Sequence, residues 1–289
     1  MNRKIEPTVL KTNNYRLNWG QRTYIMGILN LTPDSFSDGG EFNQVGSALK
    51  QVHYMVQNGA DIIDIGGQST RPGAVQISLE EELNRVIPII KAIRQQTNIS
   101  LSIDTTRAKV AEAALEAGAD IINDISGGTY DRNMLTTAAN FDVPIILMHI
   151  KGTPQTMQNL TEYQNLISEI INFLKHQIDR AIALNIKHHN IIVDPGIGFA
   201  KNTAQNIQLI QQLNRFKSLN VPLLIGVSRK SFIGKIINKD KPKDRVWGTA
   251  AACCGAIANG ADIIRVHDVA QMHDVARVAD AIWRNQSPI

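Results

Sequence analysis

Cysteine is nearly absent from these 289 residues. The only two, Cys253 and Cys254, are adjacent. Neighbours in a helical stretch do not face each other, so a disulfide between them is not expected. No CxxC and no Cys/His ligand spacing occurs, which excludes the usual structural zinc sites. Such thiol usage suits a reducing compartment, and a cytoplasmic location is the expectation. Long apolar runs are missing as well. The longest candidate, Val143–Met148, falls far short of the ~18 residues that a membrane helix needs. Residues 1–20 are polar and hold no apolar signal core, so neither a leader nor a membrane partner is expected. The net charge is +4, but Lys and Arg are dispersed, whereas a nucleic-acid surface leaves a clustered basic stripe. No nucleic-acid partner is expected. The first apolar run is not followed by the Gly-rich turn of a dinucleotide-binding open sheet. No low-complexity linker interrupts the chain. A single domain over 21–289, preceded by an N-terminal extension at 1–20, is the organisation this implies.

What is present is a regular alternation. Eight short apolar runs stand out: Tyr24–Leu29, Asp61–Ile65, Ile99–Ile103, Asp120–Asn123, Val143–Met148, Asn190–Val193, Val221–Ile225 and Asp262–Val266. Amphipathic stretches lie between and after them, over Val45–Gln57, Leu79–Thr97, Ala108–Ala117, Asn133–Ala139, Tyr163–Leu184, Thr203–Leu213, Val246–Asn259 and Val269–Trp283. Nearly continuous apolar strands alternating with helices specify a parallel sheet covered by helices. Eight such units predict an α/β fold of the (β/α)8 TIM-barrel type. A repeat supports this: Gly-Ala-Asp-Ile-Ile recurs from Gly59, from Gly118 and from Gly260. The Gly suits a helix C-cap and the apolar pair enters the next strand. Ser78-Leu79-Glu80-Glu81 reads as a capping box that opens the second helix.

In such a barrel the C-terminal strand ends share one face, which carries the active site. The residues there are Asn30; Gly66-Gly67 leading into Ser69-Thr70-Arg71-Pro72-Gly73; Asp104; Asn123-Asp124; His149; Asp194-Pro195-Gly196; Gly226 with Ser228-Arg229-Lys230-Ser231; and Arg265 with His267. Taken singly, each has a plain reading. An Asp after a strand is usually a helix N-cap, an Asn a turn residue, and a lone His a hydrogen-bonded structural group. Together, Asp104, Asn123, Asp194 and Lys230 would enter one cleft, where burial without a polar ligand is costly. Carboxylates that accept from an amino group and a ring N–H, with Asn and Lys serving a carbonyl and a ring nitrogen, suit a flat heterocycle. Arg265 and His267, with Thr70 and Asn30, suit an anion. Asn30 also offers an amide oxygen to Mg²⁺, the one cofactor expected. The loops Thr32–Gly40 and Gly66–Gly73 are long enough to act as lids. These features describe a barrel enzyme acting on a polar, phosphorylated heterocycle and go no further.

The same stretches carry a family resemblance. Met26-Gly27-Ile28-Leu29-Asn30-Leu31-Thr32-Pro33-Asp34-Ser35-Phe36 and the residues to Gly40, then Asp64-Ile65-Gly66-Gly67-Gln68-Ser69-Thr70-Arg71-Pro72-Gly73, resemble the two signatures of the dihydropteroate synthases. Ile103-Asp104-Thr105, Ile122-Asn123-Asp124-Ile125, Leu147-Met148-His149, Asp194 to Phe199, Gly226 to Ser231 and Ile264 to Val269 continue the likeness in order. Two mild departures, Thr106 after Asp-Thr and Ile197 between two glycines, remove no polar site group. Residues 1–20 lie outside the resemblance and are not expected to hold a second enzyme.

The resemblance implies a synthase that condenses 6-hydroxymethyl-7,8-dihydropterin pyrophosphate with p-aminobenzoate. It implies that Asp104, Asn123, Asp194 and Lys230 hold the pterin, with Met148, Ile125 and Gly226 lining it and Arg265 stacked across its face. Asn30, Thr70, Arg265 and His267 would take pyrophosphate and Mg²⁺. Phe36, Arg71, Pro72, Phe199, Lys230 and Ser231 would form the p-aminobenzoate pocket. Asp34, Arg71, Asp104, Lys230, Arg265 and His267 would carry the chemistry, in a homodimer open to sulfonamides. Three other readings remain at this point. One is a pterin-binding methyltransferase with a corrinoid partner, which has no need of the Ser-Thr-Arg-Pro-Gly loop. The second is a binding-only homologue, which would be expected to have lost Asp34, Phe36 or Arg71. The third is a metal hydrolase built on His149, His267 and the aspartates.

Overall fold

A computed structural model describes residues 9–11, 16–31 and 41–284 of the chain. Two short antiparallel strands, β1 (Val9–Lys11) and β2 (Arg16–Asn18), precede the main sheet. Eight parallel strands follow: β3 (Tyr24–Asn30), β4 (Ile62–Gly66), β5 (Ser100–Asp104), β6 (Ile121–Asp124), β7 (Ile145–Met148), β8 (Ile191–Asp194), β9 (Leu224–Ile225) and β10 (Ile263–Val266). Their order is β8-β7-β6-β5-β4-β3-β10-β9, and a parallel bridge between Val193 and Leu223 joins the two ends. The expected TIM barrel is the fold found.

Helices α1 (Glu41–Gln57), α2 (Leu79–Arg94), α3 (Ala108–Glu116), α4 (Met134–Phe141), α5 (Leu166–Ala183) and α6 (Thr203–Gln211) follow β3 to β8 in turn. Two helices follow β9, namely α7 (Ser231–Ile237) and α8 (Val246–Ala258), and α9 (Val269–Trp283) follows β10. The sequence patterns marked eight of these nine helices among the described residues. They missed α7, a seven-residue helix interrupted by Gly234 and too short to show a period. Ser78 caps α2, its side chain accepting from the Glu81 backbone N–H at 3.0 Å, but the expected box is not completed, because the Glu81 carboxylate pairs with Arg85 one turn on.

Side-chain alternation divides the barrel into two cores. Ile25, Leu29, Ile63, Ile65, Leu101 and Ile103 face outward into the layer beneath the helices. Met26, Ile62, Ile121, Ile146, Ile192, Leu224 and Ile263 face inward and fill the lower half of the barrel. Leu17 of β2 belongs to this inner cluster, with Trp19 packed against it. The segment classed as an extension therefore stoppers the barrel from below. Trp19 meets Tyr24 edge-on at 5.5 Å.

The Gly-Ala-Asp-Ile-Ile repeat has a second function at that lower end. Gly59, Gly118 and Gly260 adopt positive φ after their helices, as expected. The aspartates then pin neighbouring strands. Asp61 Oδ2 accepts from the Ile25 N–H at 2.8 Å, Asp120 Oδ2 from Leu101 at 2.9 Å and Asp262 Oδ2 from Leu223 at 3.0 Å. Each Asp returns its own N–H to the carbonyl of the same residue at 2.8 Å. Arg22, Arg94 and Arg284 lie against these carboxylates. Asp120→Ala should strand both the Leu101 N–H and the Arg94 guanidinium, lowering stability by about 3 kcal/mol with little effect on binding at the other end. A urea midpoint equal to that of the unmutated protein would show that the pin carries no stability.

Candidate active site

Backbone register brings the upper-rim residues into one row. Asn30 pairs with Gly66, Gly66 with Asp104 and Asp104 with Asn123, while Met148 pairs with Asp194 across the next strands. Above the apolar lower layer, then, inward positions of β3, β4, β5, β6 and β8 turn polar at Asn30, Asp64, Asp104, Asn123 and Asp194, while β7 presents Met148. The plain N-cap reading fails for Asp104, because Arg107 occupies the N-cap of α3. It holds in spirit for Asp124, whose carboxylate closes a turn onto the N–H groups of Ser126 and Gly128 at 2.8 Å each. Asp194 does both: its Oδ1 accepts from Gly196 N–H at 2.7 Å while the group stays buried at the rim.

Arg265 of β10 occupies the centre. Its Nε donates to Asp64 at 2.6 Å and its Nη2 to Asp104 at 2.7 Å. Asp64 was quoted within a motif but given no role in the sequence reading. It lies one inward position below Gly66, fully buried, and also accepts from Asn123 Nδ2 at 3.0 Å. The missed signal is period two: Gly66 faces inward, so Asp64 must as well, and an aspartate inside an apolar strand needs a charged partner. An ionised carboxylate only accepts, so the Asn123 amide nitrogen is fixed towards it and the Asn123 carbonyl oxygen remains for a ligand. One of the two donors expected to serve a heterocycle is thus already in use.

Charge and burial move the proton affinities here. Burial pushes Asp104 up to about 7, Arg265 opposes this, and the negative charges of Asp64, Glu82 and Asp124 add to the rise. Asp194 is raised by burial, against the pull of Lys230. Burial lowers Lys230 to about 8, with Asp194 opposing and Arg265 assisting. Burial disfavours the charge on Arg265, yet Asp64 and Asp104 outweigh it and hold the guanidinium protonated.

The loops complete the mouth. Lys230 precedes α7, donates to the Ile197 carbonyl and stands over the Phe199 ring at 4.5 Å. Ser231 is the exposed first residue of α7. Phe199 sits on a tight β8–α6 loop. Gly196 there has φ +70, and a Cβ would fall 2.0 Å from the His149 carbonyl oxygen, so only glycine fits. Lys201, which the sequence reading passed over, braces this loop from within. Its buried Nζ donates to the Phe199 carbonyl at 2.8 Å and meets His149 Nδ1 at 3.1 Å. Ile125 and Met148 form a small apolar cluster beside it with Met157 and Ala200. On the β4–α2 loop, the Gln68 side chain holds Ser69, Val75 and Ile77. Gly73 N–H reaches the Pro154 carbonyl at 3.0 Å, so this loop spans to the one after β7. Thr70 is half-buried, Arg71 and Pro72 are exposed, and Arg71 lies near enough to His267 to lower its basicity. Gly226 follows β9 without a side chain to block the mouth. Asp34 and Phe36 lie outside the described residues.

His149 belongs to a different layer. Its ring packs edge-on against Phe173 of α5 at 5.0 Å, and burial together with Lys201 lowers its pKa to about 2. Among the described residues no group of three or more His, Cys, Asp or Glu side chains is placed to hold a metal ion. The hydrolase reading has no centre to rest on.

Residues 26–267 match the pterin binding enzyme family. A dihydropteroate synthase of Synechocystis sp. is 60% identical over 278 residues, covering 96% of either chain. The chain belongs to the dihydropteroate synthase family. Solved members are superimposable on it. The Yersinia pestis dihydropteroate synthase in a sulfonamide drug complex matches with a TM-score of 0.89 at 42% identity, covering 95% of this chain and 98% of that one. The Xanthomonas albilineans dihydropteroate synthase with 4-aminobenzoic acid gives 0.89 at 40% identity, over 96% and 98%. The likeness extends over nearly the whole chain.

Asp64→Asn removes the like charge nearest Asp104 while keeping the shape of the site. Asp104 should then release its proton at lower pH, read by carboxyl-carbon NMR. A titration unchanged from the parent protein would mean that the Arg265 bridge does not couple the two carboxylates.

Proposed function

We propose that this chain condenses 6-hydroxymethyl-7,8-dihydropterin pyrophosphate with p-aminobenzoate, giving 7,8-dihydropteroate and pyrophosphate for folate biosynthesis. The observation that carries the reading is the polar rim of Asp104, Asn123, Asp194 and Lys230 around one bridging arginine, on the barrel of this family. Carboxylate oxygens and the Asn123 carbonyl accept from the pterin amino group and ring N–H, and Lys230 donates to its acceptors. Arg265 presents its guanidinium beside the ring plane and, with His267 and Thr70, faces the pyrophosphate. Arg71, Pro72, Phe199, Lys230 and Ser231, with Phe36, enclose p-aminobenzoate.

The reaction is a substitution at the exocyclic CH2. Its C–O bond breaks and the electron pair leaves with pyrophosphate, whose growing charge Arg265 and His267 stabilise. Asp104 and Asp194 stabilise the cation left on the pterin, with Asp34 on the first loop. The arylamine lone pair then forms the C–N bond, and the resulting ammonium is acidic enough to lose its proton without a strong base. Catalysis is thus chiefly positioning and electrostatics.

Mg²⁺ fits this rim as a substrate-borne ion. Asn30 is a neutral amide whose side chain makes no hydrogen bond among the described residues, a donor set suited to an ion held mainly by phosphate and water. When bound, the ion neutralises charge on the leaving pyrophosphate.

A homodimer and a cytoplasmic location belong to the same reading. Trp247 at the start of α8 is 78% exposed, and Val278 and Ile282 on α9 are 62% and 59% exposed. These two helices pack on each other, so exposed apolar side chains lie on neighbouring helices at the barrel surface. No described helix is long and apolar enough to cross a membrane. Two free thiols suit a reducing compartment.

Purified protein supplied with both substrates and Mg²⁺ should form dihydropteroate, with loss of product on chelation and on adding a sulfonamide. Tight pterin binding without product would overturn the assignment. Light scattering should return about twice the 31.9 kDa chain mass, and Trp247→Glu should return one chain; a parent protein of single mass would remove the dimer.

A further inference from the structure

Ser228 and His267 meet at the mouth in a way that fixes a proton. The Ser228 Oγ accepts from the His267 backbone N–H at 3.1 Å and lies 3.0 Å from the ring Nδ1 of the same residue. Ser228 is buried in the loop after β9 and His267 follows β10, so the segments leaving two adjacent strands hold both groups. A serine hydroxyl carries one proton and a neutral imidazole one N–H. With its oxygen already accepting a backbone N–H, the hydroxyl has its own proton to place, and Nδ1 is the acceptor beside it. We propose that Ser228 is a positioning residue that donates to His267 Nδ1, holding the neutral ring as the Nε2–H tautomer with that N–H turned to the pyrophosphate.

The surroundings require a neutral ring. Burial and the nearby Arg229, Arg265 and Arg71 lower the His267 pKa to about 3, with Asp268 opposing. Arg229 is tied to Asp268 by its Nε at 2.9 Å and Arg265 to Asp64 and Asp104, so of the three arginines only Arg71 has no carboxylate partner among the described residues. A ring bearing its proton on Nδ1 would turn a lone pair towards phosphate oxygens. The Nε2–H form donates to them instead. The inference rests on the placement of pyrophosphate at His267 given above.

The ring nitrogens of ¹⁵N-histidine-labelled full-length protein report the tautomer directly, with His267 assigned by its loss in His267→Ala. The parent protein should carry the proton on Nε2. Ser228→Ala should give a mixture of tautomers, weaken pyrophosphate and raise the KM for the pterin substrate by about tenfold, and leave the KM for p-aminobenzoate unmoved. Ser228→Thr should restore the Nε2–H form. A proton on Nδ1 in the parent protein overturns the proposal whether or not the variants fold, and so does an unchanged tautomer in Ser228→Ala. An Nε2–H ring that does not respond to added pyrophosphate overturns instead the placement of that ligand at His267.

Discussion

A guanidinium enclosed by two carboxylates inside a closed barrel cannot move without stranding a charge. Arg265 is in that position between Asp64 and Asp104, over an inner layer built mainly of apolar side chains. Burial in this poorly solvating space raises the proton affinity of Asp104, Arg265 opposes the rise, and the second carboxylate, Asp64, adds to it. Asp64 also fixes which end of the Asn123 amide points inward. The acceptor pattern offered to a heterocycle is therefore set from below, by a residue that itself lies beneath the rim. A pterin bringing hydrogen-bond donors meets oxygen atoms already oriented, so little is spent on reorganisation when it binds.

The barrel keeps its stabilising and its reactive polar groups at opposite ends. At the lower end every repeat aspartate serves a backbone N–H and an arginine, a satisfied arrangement that suits structure. Buried polar atoms without a hydrogen-bond partner among the described residues occur at both levels, Trp19 Nε1 at the lower end and Asp64 Oδ1 and Ser102 Oγ beneath the rim, whereas at the upper end Asp104, Asp194 and Lys230 surround the mouth with proton affinities displaced by burial. Unspent hydrogen-bonding capacity at that end is what a ligand can use. The hairpin that carries Leu17 and Trp19 closes the lower end, so the polar well has its opening at the strand C-termini.

Much of this was legible in the residue order. Strand identity followed from apolar runs, the barrel from their number, and the rim from the rule that strand ends converge. Three features were not. Asp64 sits in an apolar run, and its charged partner Arg265 stands on a different strand. Lys201 follows the recognised loop motif, yet its importance depends on His149, 52 positions earlier in the chain. The β1–β2 hairpin is three residues a side, too short for a period to emerge, and gains its order from the barrel it stoppers. Tertiary neighbours decide the roles of Lys201 and the hairpin, while for Asp64 the period of two gives the facing and only the partner, Arg265, is set by the fold.

The closure of the barrel has a consequence of its own. The aspartate pins stitch β3 to β4, β5 to β6 and β9 to β10, whereas β9 meets β8 through the lone bridge of Val193 and Leu223. A ring with one thinly stitched join has a clasp. Local opening of a folded protein begins where the fewest cooperative bonds must break, so the clasp sets the direction in which this barrel breathes. The strands it would part are those bearing the Phe199 loop on one side and Lys230 on the other. Fluctuation is thereby steered away from the Arg265 bridge and towards the wall formed by those two segments.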